Sequence, residues 1–254
     1  MRNDMHVRVS GQGPTLLFVH GLGCSGAFWA DVVVRFEGSF TCVAVDLQGF
    51  GASPALGDSM SIADWASRLE GLLDGLAAGP AVVIGHSLGG MVTQELALAA
   101  PHAVRGVGLC NTIPRATEQV RQIDQSLLDI VHKDGSAVLA EMMAAGLFGP
   151  VTHEGTARAR ARFLEDCSGT DPRSLELGLR AIMAFDALDR LGGVQIPALV
   201  VTGEFEGNMA DQEVLAAALP DATLVVMAGT GHMAPAEDPA TFAEALHMFV
   251  AGLG

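Results

Sequence analysis

The sequence predicts a doubly wound α/β fold, in which helices cover both faces of a mostly parallel sheet. Seven short apolar runs recur along the 254 residues. Most are continuously apolar rather than alternating, which is typical of strands buried on both faces of a parallel sheet. Helix-like segments lie between them, and this alternation is the signature of an α/β sheet. The predicted strands are residues 6–9, 15–19, 42–45, 81–84, 104–110, 198–202 and 223–227.

The predicted helices of this core are residues 27–36, 62–76, 88–99, 212–219 and 239–250. Asp238 and Pro239 resemble an N-cap followed by proline at the first helical position. Half of the chain is hydrophobic, which suits one large domain with a sizeable core.

Strand-like runs are missing from residues 113–193, which read instead as three or four amphipathic helices. Breaks are expected near residues 134–135, 149–150 and 170–172. We therefore expect a core domain made of residues 1–112 and 194–254, with residues 113–193 inserted as an all-helical cap. Ligands in open α/β sheets bind beyond the carboxyl ends of the strands, which favours a cap over a purely structural appendage.

The charge balance argues against several classes of partner. Fourteen Lys and Arg residues face 29 Asp and Glu residues, giving a formal net charge of −15 at pH 7. Such a surface repels phosphate backbones and anionic membranes, so neither nucleic acid nor membrane is an expected partner. No run approaches the roughly 20 apolar residues of a membrane span. A homo-oligomer is left open by the sequence.

The N-terminal residues and the cysteines favour a cytoplasmic protein. The N-terminal residues MRNDMHVRVSGQGP contain no apolar stretch of the kind found in signal peptides. The four cysteines are scattered, without the spacing of a metal site, and are expected to be reduced thiols. We expect neither a metal nor an organic cofactor.

The strongest chemical motif is Gly85-His-Ser87-Leu-Gly89-Gly, directly between a predicted strand and a predicted helix. This is G-x-S-x-G in the strand–turn–helix context that it requires. The turn is sharp, and the two glycines leave room for a strained serine whose hydroxyl is exposed at the top of the sheet. The sequence therefore predicts Ser87 as a nucleophile. The alternative is a serine that only caps the helix.

Four stretches together resemble the α/β-hydrolase fold family over nearly the whole chain. They are FVHGLGCSGAFW (18–29), DLQGFGAS (46–53), IGHSLGG (84–90) and GTGHMAPAEDP (229–239). The chain is most similar to the capped small-molecule carboxylic-ester hydrolases, including the branch that resembles 3-oxoadipate enol-lactonase. The order and spacing of these stretches are specific for the fold but only weakly specific for the substrate.

The resemblance implies roles for several further residues. His232 stands where the family has its catalytic histidine, and a near-neutral imidazole can accept the serine proton. The backbone N–H groups of Leu88 and Leu22 would form the oxyanion hole. The 46–53 loop resembles a structural loop of the family, with Gln48 where arginine is common. Asp46 precedes Ser87 in the chain, whereas the family order is serine, acid, histidine.

The acid that supports the histidine is expected in the loop after residues 198–202. The family pattern G-x-x-D is here Gly-Glu204-Phe-Glu206, so glutamate replaces aspartate at the matching position. Ser-His-Glu triads are accepted variants, and Glu206 is the predicted acid. Glu204 and Asp211, which we expect to cap the next helix, are alternatives. A further alternative is an acid after residues 104–110, where Asn111 stands.

The predicted function is that of a serine hydrolase for a small carboxylic ester or lactone. Residues 142–149 and 182–185 would make an apolar, methionine-containing pocket if they face the site. Arg158, Arg160 and Arg162 could hold a substrate carboxylate, but a solvated helix face explains them better. Related chemistries are a thioesterase, a C–C bond hydrolase and an acyltransferase. Different classes are a ligand receptor or signalling module and a cofactor-independent lyase or cyclase.

Overall fold

A computed structural model of the protein describes residues 4–55, 57–76 and 79–253. Its strands are β1 (Val7–Ser10), β2 (Thr15–Val19), β3 (Thr41–Val45), β4 (Ala81–His86), β5 (Val104–Cys110), β6 (Ala198–Gly203) and β7 (Ala222–Met227). Within the described residues they form one seven-stranded sheet with the order β1-β3-β2-β4-β5-β6-β7. β1 runs antiparallel to β3, and the other neighbouring strands are parallel. The predicted mostly parallel sheet is therefore confirmed.

The central strands end side by side, which fixes where chemistry can occur. Every residue of β2, β4 and β6 is buried, as their continuous apolar sequences predict. His86 at the end of β4 pairs with Cys110 of β5, and Cys110 pairs with Val201 of β6. The loops that follow these three strands therefore leave the same edge of the sheet.

The helices are α1 (Ala30–Val33), α2 (Ile62–Leu76), α3 (Leu88–Ala99), α4 (Glu118–Ala144), α5 (Thr156–Gly169), α6 (Pro172–Met183), α7 (Met209–Ala218), α8 (Ala234–Glu237) and α9 (Pro239–Gly252). In the core, α2 packs on α3 and α1 packs on α9. No helix in the described part of the chain is long and apolar enough to cross a membrane.

The helix predicted over residues 27–36 is wrong in its extent. A 3₁₀ turn, Gly26–Trp29, precedes the single helical turn of α1, and turns follow over residues 34–39. The sequence there contains Val32, Val33 and Val34 in succession. β-branched side chains restrict rotamers in a helix, so this run weakens the helix that the hydrophobic pattern suggests.

The helical segment, residues 113–193, contains α4, α5 and α6, and α4 packs against both of the others. The predicted breaks occur where expected. α4 is kinked at Gly135, whose φ of 81° lies in the left-handed region. α5 and α6 are separated by Asp171, whose side chain accepts a hydrogen bond from the backbone N–H of Arg173 and so caps α6.

Candidate active site

Ser87 lies at the junction of β4 and α3 with a strained backbone. Its φ of 52° and ψ of −117° are unusual for a residue with a side chain. The backbone N–H of Ser87 donates to the carbonyl of Cys110 at 2.9 Å, which ties the turn to β5. Ser87 occupies the N-cap position of α3, yet its hydroxyl makes no capping hydrogen bond. The capping alternative therefore does not explain the serine.

Two glycines allow the tight turn around Ser87. A β-carbon at Gly85 would collide with the carbonyl oxygen of Gly89. A β-carbon at Gly89 would collide with the carbonyl of Val19 and would lie 2.5 Å from that of His20. Since both neighbours are backbone atoms, neither position has room for a side chain.

Replacing Gly89 with alanine is expected to reduce the free energy of unfolding by roughly 1–3 kcal/mol, because the new methyl group overpacks the end of β2. Gly71 provides a matched control, since it also lies in a helix, α2, but has nothing within 4 Å of a β-carbon. Gly71→Ala should stabilise the protein by roughly 0.5–1 kcal/mol through helix propensity. Urea denaturation measures both changes, and equal effects at the two positions would contradict this packing explanation.

His232 and Glu206 form a short hydrogen bond across two loops at the same edge of the sheet. The distance from His232 Nδ1 to Glu206 Oε2 is 2.7 Å. The carboxylate can only accept, so Nδ1 carries a proton and Nε2 is left as the basic nitrogen. The Glu206 loop begins at Gly203, where a β-carbon would lie 2.5 Å from the carbonyl of Thr230. This close approach brings the two loops together.

Asn111 binds the same carboxylate oxygen of Glu206 that His232 contacts. Its Nδ2 donates to Glu206 Oε2 at 2.7 Å and to the carbonyl of Gly231 at 3.2 Å. Burial would raise the pKa of Glu206, which is only 9% exposed, but the charge of His232 and these hydrogen bonds lower it to about 2. Glu206 is therefore ionised at neutral pH although it is buried.

The other two carboxylates of this loop lie elsewhere. Glu204 is exposed, and its Oε2 accepts a hydrogen bond from the backbone N–H of Gly229 at 2.8 Å. Asp211 lies in the first turn of α7, and Asn208 is the N-cap residue. The expectation that Asp211 caps this helix is therefore wrong.

Two carboxylates set the charge state of His232. Burial alone would lower its pKa, but the ion pair with Glu206 and the charge of Glu237 outweigh burial and raise the pKa above 6.5. Glu237 is fully buried in α8. It accepts hydrogen bonds from the backbone N–H groups of Gly231 at 2.8 Å and Gly149 at 2.9 Å. Glu237 thus connects the His232 loop to the helical segment.

Two further histidines lie close to the site, and their surroundings keep them neutral. His86 Nε2 donates to the carbonyl of His232 at 2.8 Å, and its ring stacks on Phe28. Burial lowers its pKa to about 3. His20 Nδ1 donates to the carbonyl of Gly21 at 2.8 Å, and its Nε2 accepts from the N–H of Leu47 at 2.9 Å. Burial lowers the pKa of His20 to about 4, which fits the structural part expected of it.

The turn after β2 lies directly against Ser87. A β-carbon at Gly21 would lie 3.1 Å from the Ser87 β-carbon and 2.8 Å from His86 Nδ1. Leu22, the next residue, is buried and lines the same cavity as Ser87. Among the hydrogen bonds of the described residues, none uses the backbone N–H of Leu22 or Leu88. Both groups are thus free to bind a ligand oxygen.

A cavity of about 190 Å³ opens onto Ser87 and His232. This volume is small beside the roughly 300–1,000 Å³ of pockets for drug-sized ligands, so it suits a small molecule. Much of its wall comes from the helical segment and is apolar. The residues contributed by that segment are Ile113, Val120, Ile123, Asp124, Leu127, Met143, Leu147, Phe163 and Ile182.

The three arginines of α5 do not line this cavity. Arg158 and Arg162 pair with Asp31, at 3.2 and 3.9 Å. Arg160 donates to the carbonyl of Ala144 at 3.0 Å. These contacts favour the interpretation of a solvated helix face over a substrate clamp.

Asp46 is also used structurally. It accepts hydrogen bonds from the backbone N–H groups of Gly26 at 2.7 Å and Ala52 at 2.9 Å, and it pairs with His6 and Arg8. Within the described residues, no group of three or more His, Cys, Asp or Glu side chains is arranged to hold a metal ion.

Comparison with known proteins places the chain in a family. A sequence model described as "Alpha/beta hydrolase family" matches residues 16–245. The chain belongs to the α/β-hydrolase family. The predicted family and fold are thereby confirmed, and the G-x-S-x-G turn described above lies within the matched residues.

Curated relatives of this α/β-hydrolase match nearly their whole length. The chain is 30% identical over 246 residues to the pimeloyl-[acyl-carrier protein] methyl ester esterase of Chromobacterium violaceum, with 90% of this chain and 91% of the relative covered. It is 28% identical to the 2-(acetamidomethylene)succinate hydrolase of Mesorhizobium japonicum, covering 98% and 92% of the two chains. The enol-lactonase of Burkholderia xenovorans LB400 has the same fold, with a TM-score of 0.91, 24% identity and coverage of 97% and 96%.

Sequence reasoning missed three side chains near the site. The sequence patterns assign no role to Asn111, which offers no carboxylate, or to Glu237, which lies within residues 229–239. One sequence feature could have indicated Asp124. It is a charged residue among Val120, Leu127 and other apolar residues at helical spacing. The signal for Asn111 was its position directly after a buried strand, at the edge where the other site residues lie.

Proposed function

We propose that the protein is a serine hydrolase that cleaves a small carboxylic ester or lactone through an acyl-enzyme. The main observation behind the proposal is that His232, bound to Glu206 at 2.7 Å, lines the same cavity as the strained Ser87. In this proposal Ser87 is the nucleophile, His232 the general base and acid, and Glu206 the group that orients the imidazole. The esterase and lactonase names of similar proteins support it.

The reaction proceeds in two halves. Ser87 Oγ attacks the carbonyl carbon while His232 Nε2 takes the hydroxyl proton, and His232 then returns that proton to the departing alkoxide. For a lactone the alkoxide stays attached to the acyl group. Water then attacks the acyl-enzyme, gives its proton to His232, and releases the acid as Ser87 is restored. Glu206 stays ionised throughout and stabilises the imidazolium form of His232.

The tetrahedral intermediates of both halves carry a negative oxygen. We assign its stabilisation to the backbone N–H groups of Leu22 and Leu88, which have no acceptor in the part of the chain that the structure describes. The strained φ of 52° at Ser87 supports this, since it presents the hydroxyl at the start of α3. Removing one oxyanion donor typically costs about 10²- to 10³-fold in kcat.

The helical segment, residues 113–193, acts in this proposal as a cap domain on a core made of residues 1–112 and 194–254. Its residues form the apolar wall of the cavity. Glu237 fastens the cap to the His232 loop through the N–H of Gly149. A small, mainly apolar cavity favours a short acyl or alcohol group over a long lipid chain. Expected partners are therefore small ester or lactone substrates.

As the pH falls, kcat/KM for ester hydrolysis should decrease, and the midpoint of this decrease should lie above pH 6.5. His232 must be neutral to accept the serine proton, and its pKa is raised in the folded protein. Activity is thus complete above this pKa and is lost as the pH falls through it. Glu206→Gln removes the charge that raises the pKa, so the midpoint should move to lower pH. A pH profile of p-nitrophenyl acetate hydrolysis measures both midpoints.

The same assay tests the function itself. A panel of esters, lactones and thioesters of graded chain length should contain substrates that the protein hydrolyses. For these substrates, kcat/KM should fall at low pH with the midpoint described above. Absence of turnover across the whole panel would contradict the proposal. If Glu206→Gln leaves the midpoint of the pH profile unchanged, the hydrolase proposal stands. The assignment of Glu206 as the partner of His232 would then be wrong.

A further inference from the structure

The cavity contains one carboxyl group that the reaction does not use. Asp124 lies on α4, where Val120 and Leu127 also line the cavity, and it is only 8% exposed. Spacing of four and three residues places these three side chains on one face of the helix. This face is apolar apart from Asp124. A carboxyl group there breaks the hydrophobic pattern of the helix, as residues at functional sites often do.

Asp124 has no hydrogen-bond or ion-pair partner among the described residues. Its Oδ2 is buried without a hydrogen bond, and no ion pair among the described residues includes this side chain. Burial raises its pKa to about 7. Buried polar groups are nearly always hydrogen-bonded in native proteins, so an unpaired carboxyl in the wall of a cavity calls for a ligand partner.

The other charged and titratable groups that line the cavity indicate which kind of ligand Asp124 can bind. No lysine or arginine is among the described residues that line it. The other titratable groups are His232, which serves the reaction, His86, which donates to the His232 carbonyl, and the buried thiol of Cys24. At a pH above the pKa of Asp124, a substrate carboxylate would therefore face a second negative charge with no cation to balance it. A hydroxyl or amide N–H can instead donate to Asp124.

We propose that Asp124 is a specificity residue, which accepts a hydrogen bond from a hydroxyl or amide N–H group at the end of the substrate remote from the scissile bond. This inference rests on the proposed function, because it takes the cavity beside Ser87 as the substrate site. It predicts that the preferred substrate is an ester or lactone with an uncharged polar end. At a pH above the pKa of Asp124, substrates with a carboxylate at that end bind more weakly than those with an uncharged polar end.

The test uses three esters of equal length: methyl hexanoate, methyl 6-hydroxyhexanoate and monomethyl adipate. A second series carries the same end groups on the alcohol part: hexyl acetate, 6-hydroxyhexyl acetate and 6-acetoxyhexanoate. Binding is measured by calorimetry in Ser87→Ala, which cannot turn the esters over, and kcat/KM is measured with Ser87 present. Both measurements are made at a pH above 7, where Asp124 is ionised. In at least one series, the association constant and kcat/KM of the hydroxyl ester should each exceed those of the carboxylate ester by roughly tenfold or more.

Two variants separate recognition from packing. Asp124→Leu should lose the preference for the hydroxyl ester and should favour the fully apolar ester. Asp124→Asn should keep the hydroxyl ester and should accept the carboxylate ester better, because its amide can donate to a carboxylate. Asp124→Leu should also raise the melting temperature by roughly 2–4 °C, as the free protein no longer buries an unpaired acid.

Equal binding of the three end groups in both series would overturn the inference, as would unchanged ratios in Asp124→Leu. A lower melting temperature in Asp124→Leu would also overturn it, since the acid would then serve the fold. A hydroxyl preference in binding, without turnover by the protein that retains Ser87, would support Asp124 and contradict the serine-hydrolase proposal. The two failures are thus distinguishable.

Discussion

Replacing Ser87 with alanine is expected to reduce ester hydrolysis by about 10⁴-fold or more, because loss of the nucleophile removes the covalent route altogether. The steady-state rate with p-nitrophenyl acetate or butyrate measures the loss. Ser87 is partly exposed to the cavity, and its hydroxyl makes no hydrogen bond within the described part of the protein. The substitution should therefore leave the fold intact, which a urea denaturation curve verifies.

The same variant discriminates between the classes of function. A cofactor-independent lyase or cyclase would retain its reaction in Ser87→Ala and would lose it in His232→Ala, since only the base is needed. A receptor would turn substrate over slowly, without build-up of free product, and would recruit a partner only when liganded. Full ester turnover in a folded Ser87→Ala protein would remove Ser87 as the nucleophile.

Glu206→Gln should have the second largest effect, a fall in kcat of roughly 10³- to 10⁴-fold. Losing the acid leaves the imidazole without its charge partner and favours the wrong tautomer. Glutamine still fits the space and can still contact His232 Nδ1 and Asn111, so the change is mainly one of charge. The measurement is kcat for the best ester substrate at a pH above the acid limb of the wild-type profile.

Glu204→Gln is the matched control, since it makes the same change two residues away in the same loop. Glu204 is exposed and accepts only from the backbone N–H of Gly229 in the described structure. The control should change kcat by less than about twofold, in line with surface substitutions away from the site. A large effect of Glu204→Gln with little effect of Glu206→Gln would reverse the assignment of the two carboxylates.

The sequence determined the sheet and the serine turn because both are local patterns. Continuous apolar runs placed the seven strands to within two residues of their observed ends. The glycines at 85 and 89 could be interpreted directly, since only a tight turn against backbone needs both. The prediction of a helix over residues 27–36 was wrong in extent because it followed the hydrophobic periodicity. The run of three β-branched valines, which disfavours a helix, was given too little weight.

The difference between Glu204 and Glu206 could not be obtained from spacing. In an extended strand, residues two apart point to the same face. Here the chain turns after Gly203, and the N–H of Glu206 donates to the Gly203 carbonyl at 3.1 Å. The turn sends one carboxylate towards His232 and leaves the other exposed. Only the family pattern of the sequence favoured Glu206.

The supporting residues depend on contacts between distant parts of the chain. Asn111 meets Glu206 across 95 positions of sequence, and Gly149 meets Glu237 across 88. Asp124 has significance only because a cavity lies in front of it. No local pattern predicts such contacts, since each depends on how the helical segment lies against the sheet.

The acyl-enzyme at Ser87 is tested most directly by rapid mixing with p-nitrophenyl acetate, followed by intact and peptide mass spectrometry of the acid-quenched protein. We expect a burst of p-nitrophenolate that approaches one equivalent of enzyme, and a single acetyl group on the peptide that contains Ser87. Ser87→Ala should show neither. Steady hydrolysis with no acetyl group at Ser87, or an acetyl group that forms elsewhere at the burst rate, would contradict the account.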